Sequence, residues 1–419
     1  MQRKSWHGFC ISIEHEKRKG GLSLGYSTVH LPKSILYGEN SFSAIGTEAA
    51  KSGSRVLLIS DEVMKKLGYV EECHAFLREA DVACTDYLGV ASEPTDVYVA
   101  EALQLIQDHQ CDQVIALGGG SCIDTAKAVA VLATNKGDIS DYMGGKTLAA
   151  KAPLPLTAIP TTGGTGSEAT DVTVITNTRT DVKMMIKQPA FMPEKAIVDP
   201  YLTVSSPKSI TAATGVDALT HAVEAFISRK AHAFTDALAL SAIKRIMLYL
   251  PKAFENGKDI EARDHMIYGS MQAGMAFSNS SVCLVHGMSR PIGALFHVPH
   301  GISNAMLLPV LLNYAKESCT DRLAEIGRYV SAELDAATDA EAADYVVSEI
   351  LHLCEALSIP NLKAWGVEAD KFQSVLDKMA SDALDSGSPA NNPKVPTKEE
   401  IIDLYKEAYD FQYASLQNQ

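Results

Sequence analysis

The sequence predicts an α/β N-terminal domain followed by an all-α C-terminal domain. Residues 30 to about 200 alternate short apolar runs with helical stretches, and strand-like runs nearly vanish after Pro200. Strand–helix alternation is typical of a parallel sheet covered by helices. The chain has 419 residues, more than a single hydrophobic core usually serves. We therefore expect an N-terminal extension at residues 1–29, an α/β domain at 30–203 and a helical domain at 204–419.

Short apolar runs predict the strands of the first half. Four of them should form the main sheet: Val56–Ser60, Val82–Tyr87, Val114–Leu117 and Leu156–Ile159. The intervening segments carry apolar residues three and four apart and predict helices: Val63–Leu67, Val97–His109 and Ile123–Ala133. Three later runs predict a hairpin and an edge strand: Val172–Thr176, Val182–Lys187 and Ala196–Asp199.

The second half consists of long helical patterns rich in Ala, Leu and Ile. The predicted helices are Ile210–Ser228, Thr235–Leu250, Ala262–Phe277, Asn304–Tyr314, Ala340–Ala356 and Lys398–Tyr409. The run DPYLTVSSP, rich in Pro and Ser, predicts the connection between the two parts near residues 200–207.

The composition argues against several classes of partner. The chain has 37 basic and 51 acidic residues, for a net charge of −14, which disfavours nucleic acid and anionic membranes. No apolar run reaches the roughly 18 residues of a membrane helix, and the first residues lack the apolar region of a signal peptide. Eight scattered cysteines without a C-x-x-C pair predict reduced thiols in a cytoplasmic protein.

A glycine turn in the first half suits a phosphate group. The apolar run VIAL leads into Gly118, Gly119, Gly120 and Ser121, and a helix follows. Glycines allow close approach of the backbone, and the free N–H groups of a helix N-terminus bind anions. The alternative is an ordinary strand-to-helix turn, and no G-x-G-x-x-G fingerprint is present.

Two further polar positions follow predicted strands. The run TTGGTGSE, residues 161–168, offers hydroxyls and glycines that suit a ribose or a nicotinamide amide, or it forms a polar loop with a capping serine. Asp61 ends the strand VLLIS. Its carboxylate suits a ribose 2′-hydroxyl and repels a 2′-phosphate, or it simply caps the next helix.

Four residues form a candidate metal site. Asp217 and His221 lie four apart in GVDALTHAVEA, on one face of a predicted helix. His286 and His300 begin and nearly end the run HGMSRPIGALFHVPHG. One carboxylate and three imidazoles complete an inner shell for Zn²⁺ or Fe²⁺. The alternative for the helical pair is a buried Asp–His hydrogen bond.

His297 and Arg290 lie in the same run, and either could face a substrate. Alternatively, either residue contacts a metal-binding side chain without binding the metal itself, or lies on the surface.

Several runs together resemble the group III iron-dependent alcohol dehydrogenases: AIPTTGGTGSEAT, TAATGVDALTHAVEAF, AGMAFSN and HGMSRPIGALFHVPHG. The resemblance extends from about His30 to the C-terminus. It implies a dehydroquinate-synthase-like fold, in which the N-terminal domain binds the dinucleotide and the helical domain binds the metal. It implies an active site in the cleft between them and a homodimer or larger homo-oligomer.

The resemblance also assigns residues. The metal ligands would be Asp217, His221, His286 and His300. The pyrophosphate turn would be Gly118, Gly119, Gly120 and Ser121. The positions that contact nicotinamide and ribose would be Asp124, Thr161, Thr162, Thr165 and Lys183. Asp61 would select NAD over NADP, and Phe277 would supply an aromatic ring to the substrate pocket.

The sequence departs from this family at one position. Many members carry a histidine four residues after the third ligand, which helps to move the proton, whereas this chain has Arg290. Arginine does not titrate near neutral pH and is no general base. The proton would then leave through water, the cofactor ribose or His297.

The expected function is that of a metal-dependent, NAD(H)-linked alcohol dehydrogenase or aldehyde reductase for small alcohols, diols or aldehydes, with Fe²⁺ or else Zn²⁺. Two alternatives stay open. One is a metal-dependent lyase on the same fold, which would need more basic residues in the cleft. The other, suggested only by Arg290, is a catalytically silent protein that binds metal and nucleotide.

Overall fold

The computed structural model describes residues 26–412, so most of the expected N-terminal extension lies outside the described residues. A six-stranded, all-parallel sheet forms the centre of the first half, with the order β1-β8-β5-β4-β2-β3. Its strands are β1 (Ser34–Tyr37), β2 (Arg55–Ile59), β3 (Ala83–Tyr87), β4 (Gln113–Gly118), β5 (Leu156–Pro160) and β8 (Lys195–Val198). A separate antiparallel hairpin consists of β6 (Val172–Asn177) and β7 (Val182–Lys187).

The central strands are mainly apolar because both faces of the sheet are covered. In β2, Leu57 and Ile59 pack into the core on one face, whereas Val56 and Leu58 pack into the core on the other. Side chains alternate between faces along a strand, so a strand covered on both sides has few polar positions. Five helices surround the sheet: α1 (Ile45–Ala50), α2 (Glu62–Lys66), α3 (Tyr69–Glu79), α4 (Asp96–His109) and α5 (Gly120–Leu132).

The expectation of an edge strand at Ala196–Asp199 is wrong. The strand β8 lies inside the sheet, paired with β5 on one side and with β1 on the other. The edge is β1, whose four residues are all partly or fully exposed and carry no alternating apolar pattern. The sequence pattern therefore did not reveal it. The predicted hairpin is confirmed.

After Thr203 all named elements of the described chain are helical. They are α6 (Lys208–Ile227), α7 (Ala233–Glu255), α8 (Ile260–Asn279), α9 (Leu284–Phe296), α10 (His300–Ala315), α11 (Thr320–Val330), α12 (Asp339–Ala356), α13 (Leu362–Trp365), α14 (Ala369–Asp385) and α15 (Lys398–Tyr409). They enclose one large apolar core. In the part of the chain that the structure describes, no helix combines the length and the apolar character needed to cross a membrane.

The topology places a crevice beside the sheet. The chain enters at β1, crosses to β2 and β3 on one side, and then returns past β2 to β4, β5 and β8. The strand order thus reverses between β2 and β4, and ligands of open α/β sheets bind at the carboxyl ends of strands at such a point. Asp61 follows β2 there, and the glycine turn ends β4. The expected α/β-plus-helical architecture is confirmed.

Candidate metal centre and nucleotide-binding site

Asp217 and His221 lie on successive turns of α6, one of the most deeply buried helices of the molecule. The two side chains are 1% and 5% exposed, and nearly every other residue of the second half of α6 is buried. A carboxylate in such a place is costly unless a positive group compensates it. The helical spacing of four residues therefore places two potential metal ligands side by side in the interior.

His286 and His300 reach the same point from two other helices. His286 lies in the first turn of α9, and His300 is the first residue of α10. One ligand atom from each of Asp217, His221, His286 and His300 can be chosen so that all four lie within 4.8 Å of one another. The structure thus brings together four donors from three helices.

Unpaired atoms in this cluster fit a bound cation. Nδ1 of His221 is buried without a hydrogen-bond partner. The amide nitrogen of Asn304 lies 2.6 Å from Oδ1 of Asp217, 3.1 Å from Nε2 of His286 and 3.2 Å from Nε2 of His300. Three acceptor atoms therefore converge on one small region. One carboxylate with three imidazoles is a donor set that Fe²⁺ and Zn²⁺ both accept.

The electrostatics of the cluster keep the imidazoles of His286 and His300 neutral. Burial lowers the pKa of His300 to about 3, and burial together with the nearby His221 lowers the pKa of His286 well below its usual value. A neutral imidazole has the lone pair that a metal ligand requires. The ring of Phe277 stacks on His221 at 4.4 Å and 17°, which fixes the imidazole plane. Phe277 therefore forms a wall of the centre, beside the metal ligands.

Glu224 supports the centre, although it is not among the residues predicted from the sequence. Its Oε2 accepts from Nδ1 of His286 at 2.6 Å and from the backbone N–H of Cys283 at 2.9 Å. Its Oε1 accepts from the N–H of Val285 at 2.6 Å. The carboxylate caps the N-terminus of α9 and holds the proton of His286 on Nδ1, which leaves Nε2 free for the cluster. Burial raises the pKa of Glu224 to about 7.

The spacing of Glu224 held a usable signal. It lies three residues after His221 on the same apolar face of α6 and is 2% exposed. A second carboxylate on such a face needs a partner for the same reason as Asp217. Asn304, four residues after His300, was missed because an amide has no strong preference for metal sites.

The glycine turn has the geometry of an anion site. Gly118 ends β4 with φ +155°, Gly119 is the N-cap of α5, and Gly120 begins the helix, followed by Ser121. A Cβ at Gly120 would lie 2.7 Å from Cγ2 of Thr165. The loop after β5 therefore passes directly over the turn, and a side chain at Gly120 would disturb it.

That loop contributes hydroxyls at the expected positions. Oγ1 of Thr161 is buried without a hydrogen-bond partner, and the backbone N–H of Thr161 donates to Gly118. Thr162 lies beside Gly119, at 3.6 Å from a Cβ built there. Oγ1 of Thr165 accepts from the N–H of Ser167 at 3.2 Å. An unpaired buried hydroxyl beside a phosphate turn fits a bound nucleotide.

Asp61 combines the two alternatives left open by its position. Its Oδ1 accepts from the N–H groups of Val63 and Met64 at 2.8 and 2.9 Å, so it caps α2. Its Oδ2 lies 3.6 Å from Sγ of Cys122 and faces the turn at Gly118. One oxygen is used by the cap, and the other remains at the mouth of the crevice.

Asp124 has mainly internal partners. It accepts from the hydroxyl of Ser167 at 2.5 Å and from the N–H of Val174 at 2.8 Å. The buried ammonium of Lys127 donates to Ser167, Thr170 and Val172 close by. Burial lowers the pKa of Lys127 to about 8. This network ties α5 to the loop after β5 and to β6.

The remaining candidates lie around α9. Nζ of Lys183 pairs with Glu93 and lies beside Gly293, and its charge contributes to the lowered pKa of His300. Nη2 of Arg290 donates to Sδ of Met185 at 3.0 Å. His297 ends α9 in a left-handed conformation, φ 55°, and its side chain is exposed. The structure does not include His297 in the four-residue cluster.

A second group of donor side chains lies elsewhere, at β3. Nε2 of His74 and Oδ1 of Asp86 are 2.7 Å apart, with Cys84 beside them. Ligands of one tetrahedral ion stand about 3.3 Å apart. The closer approach indicates a direct hydrogen bond between imidazole and carboxylate.

Comparison with known proteins identifies the family. Residues 32–200 match the family described as "Iron-containing alcohol dehydrogenase", and residues 211–409 match "Fe-containing alcohol dehydrogenase family, C-terminal". The chain is 36% identical over 383 residues to the 1,3-propanediol dehydrogenase of Citrobacter freundii, covering 90% of this chain and 98% of that protein. The chain belongs to the iron-containing alcohol dehydrogenase family.

A second relative and a crystal structure also match this chain over about nine tenths of its length. The NAD-dependent methanol dehydrogenase of Bacillus methanolicus is 34% identical over 379 residues, which is 90% of this chain and 98% of that protein. The crystal structure of a 1,3-propanediol oxidoreductase superposes with a TM-score of 0.88 at 35% identity, over 92% of this chain and 100% of that one. The protein is therefore an alcohol dehydrogenase with a small-molecule alcohol substrate, which argues against a lyase on the same fold.

Proposed function

We propose that this alcohol dehydrogenase interconverts small alcohols or diols and their aldehydes with NAD(H) at a centre that holds Fe²⁺, or else Zn²⁺. The observation that carries the proposal is the buried cluster of one carboxylate and three imidazoles. The name of the Bacillus methanolicus relative, an NAD-dependent enzyme, supports the choice of cofactor. The carboxylate of Asp61 supports the same choice because it repels a 2′-phosphate.

In this proposal a bound divalent ion supplies a Lewis acid, and the nicotinamide supplies or accepts a hydride. Asp217, His221, His286 and His300 would hold the ion, and the carboxylate of Asp217 would offset part of its charge. Glu224 keeps His286 in the tautomer that presents Nε2. The burial of the cluster excludes water, which strengthens these interactions.

The residues proposed to bind the cofactor lie along the crevice at the carboxyl ends of the strands. Backbone N–H groups of Gly119, Gly120 and Ser121 at the N-terminus of α5 bind the pyrophosphate. The loop Thr161–Thr165 and Lys183 position the ribose and the nicotinamide. Asp124 acts through Ser167, because both of its oxygens already have internal donors.

Water, or the ribose of a bound cofactor, would accept the proton of the alcohol. Arg290 stays protonated at neutral pH, whereas His297 is exposed at the end of α9 and is not one of the four clustered donors. We further propose that the protein is cytoplasmic and forms a homodimer or a larger homo-oligomer. Residues 1–29 form an extension, and the boundary between the two domains lies near residue 203.

An NAD(H)-linked screen on metal-analysed protein tests the proposal. Anaerobically purified protein should contain about one equivalent of Fe²⁺ or Zn²⁺ per chain and change NADH absorbance with members of an alcohol and aldehyde panel. The rate should be larger with NADH than with NADPH. Binding of metal and NAD without turnover on any substrate would favour the silent protein instead and would contradict the proposal.

A further inference from the structure

A second charged group lies close to the metal centre, on α9. Arg290 follows His286 by four residues, so the two side chains share a face of the helix about 6 Å apart along its axis. The strand β7 of the hairpin packs directly against this helix. Lys183 and Met185, two residues apart, share the face of β7 that contacts α9: Lys183 lies beside Gly293, and Met185 contacts Arg290.

The two cations in this part of the cleft differ in their partners. Lys183 is ion-paired with Glu93 and therefore already neutralised. Arg290 donates to the thioether sulfur of Met185, which is a weak acceptor. Among residues 26–412, no carboxylate lies within ion-pairing distance of its guanidinium.

The neighbouring carboxylates do not serve as a counter-ion for Arg290. Glu224 is the acidic group whose charge acts on Arg290, but three N–H donors, including His286, already occupy its two oxygens. Asp217 faces the ligand cluster. Burial lowers the pKa of Arg290 to about 10, so it remains charged near neutral pH. A partly buried cation without a counter-ion is costly, and an anion that enters the cleft would remove the cost.

We propose that Arg290 is the anion-binding residue of the substrate pocket and that the preferred substrate is a short alcohol or aldehyde with an acidic group at its far end. A guanidinium binds a carboxylate through two parallel hydrogen bonds. One helical turn separates Arg290 from the ligand His286, so the acidic group lies about three to five carbons from the reacting one. Hydroxy and oxo acids of that length fit.

The inference rests on the proposed dehydrogenase function and leaves its chemistry unchanged. In the reduction, the carbonyl carbon gains a hydride from NADH, the oxygen gains a proton from water, and NADH becomes NAD⁺. Arg290 binds the far end of the substrate and takes no part in proton transfer. The arginine thereby acquires a role at the position where many members of the family carry a titratable histidine.

Kinetics with a matched substrate pair test the inference. We would compare 4-oxobutanoate with its neutral amide, 4-oxobutanamide, in the wild type, in Arg290→Gln and in Arg290→Lys. The wild-type kcat/KM should favour the acid by about 10- to 100-fold, as expected for a charge-assisted pair. Arg290→Gln should bring the ratio close to one, mainly through KM, and Arg290→Lys should leave part of it. Arg55→Gln, an arginine at the opposite end of the sheet, is the matched control and should keep the wild-type ratio.

Equilibrium binding gives a second readout that needs no turnover. The affinity of the metal-loaded protein for succinate should exceed that for butanoate by about tenfold, and Arg290→Gln should remove the difference. If no aldehyde is reduced but this binding difference appears, the proposed function fails and the anion site stands. Equal kcat/KM for acid and amide, unaltered by Arg290→Gln, would overturn the inference while the dehydrogenase activity stands.

Discussion

Glu224→Gln tests whether the Glu224 carboxylate holds His286 in the tautomer that can bind a metal. The substitution keeps the size of the side chain but replaces one carboxylate oxygen by an NH₂ group. In the structure both oxygens accept, from Nδ1 of His286 and from the N–H groups of Cys283 and Val285. An amide oxygen can satisfy only part of this set, and the NH₂ group must face a donor or force His286 into the other tautomer. In that tautomer Nε2 carries a proton and cannot bind a metal.

The expected magnitude follows from these contacts. Removing the carboxylate partner of a metal-bound imidazole typically costs 10- to 100-fold in metal affinity, or about 1.4–2.8 kcal/mol. A buried N–H left without an acceptor costs about 1–3 kcal/mol of stability. We therefore expect metal affinity to fall at least tenfold and the metal-free protein to lose about 1–3 kcal/mol in its free energy of unfolding.

Competition with a chelator measures the first quantity, and denaturant unfolding of metal-free protein measures the second. Glu355→Gln, an exposed glutamate on α12, serves as the matched control and should leave both values unchanged. A metal affinity of Glu224→Gln within twofold of the wild type would refute the role assigned to this carboxylate.

Three other substitutions test the cofactor side and the buried network. Asp61→Asn keeps an acceptor for the cap of α2 but removes the charge, so the ratio of kcat/KM for NADPH over NADH should rise about tenfold or more while the thermal midpoint changes little. Gly120→Ala places a methyl group against Thr165, so the dissociation constant for NADH should rise about tenfold at unchanged metal content, as measured by fluorescence titration. Glu168→Gln should stabilise the protein above neutral pH. Burial raises the pKa of Glu168 from 4.5 to about 7, so its protonation contributes stability that is complete below pH 4.5 and lost as the pH rises through 7. The advantage of the glutamine in unfolding free energy should thus grow between pH 5 and 8, by at most about 3 kcal/mol for a pKa that rises from 4.5 to about 7.

Two of these substitutions have a control variant. Asp61→Ala should lose about 1 kcal/mol of stability, because it removes the cap that Asn preserves. Adding Thr165→Ser to Gly120→Ala removes Cγ2 and should restore part of the NADH affinity. Unchanged coenzyme preference in Asp61→Asn would leave Asp61 as a helix cap alone. An equal stability difference at pH 5 and pH 8 for Glu168→Gln would contradict a raised pKa.

The sequence predicted the donor groups better than it predicted their supports. Asp217 and His221 were readable because helical spacing puts both polar groups on one apolar face. His286 and His300 were readable from the glycine- and proline-rich run that they bracket. The helix α9 that carries His286 was not predicted, because Pro291 and two glycines interrupt the pattern of a helix.

Tertiary contacts decided what local patterns left open. Cys283 and Val285 lack a capping side chain of their own, and the cap comes from Glu224, about sixty residues earlier in the chain. Nothing at the start of α9 signals this. Similarly, β1 has no alternating apolar pattern and pairs with β8 alone in the sheet, so the sequence placed the edge of the sheet one strand too far inward.

Titration of metal-free protein with Fe²⁺ under anaerobic conditions tests the shared ion most directly. Bound iron and NADH oxidation would be followed in the same samples, for the wild type and for His286→Ala and His300→Ala. Activity should rise in proportion to bound iron, level off at one equivalent per chain, and be absent together with tight binding in both variants. Full activity of either variant without bound metal would contradict the account.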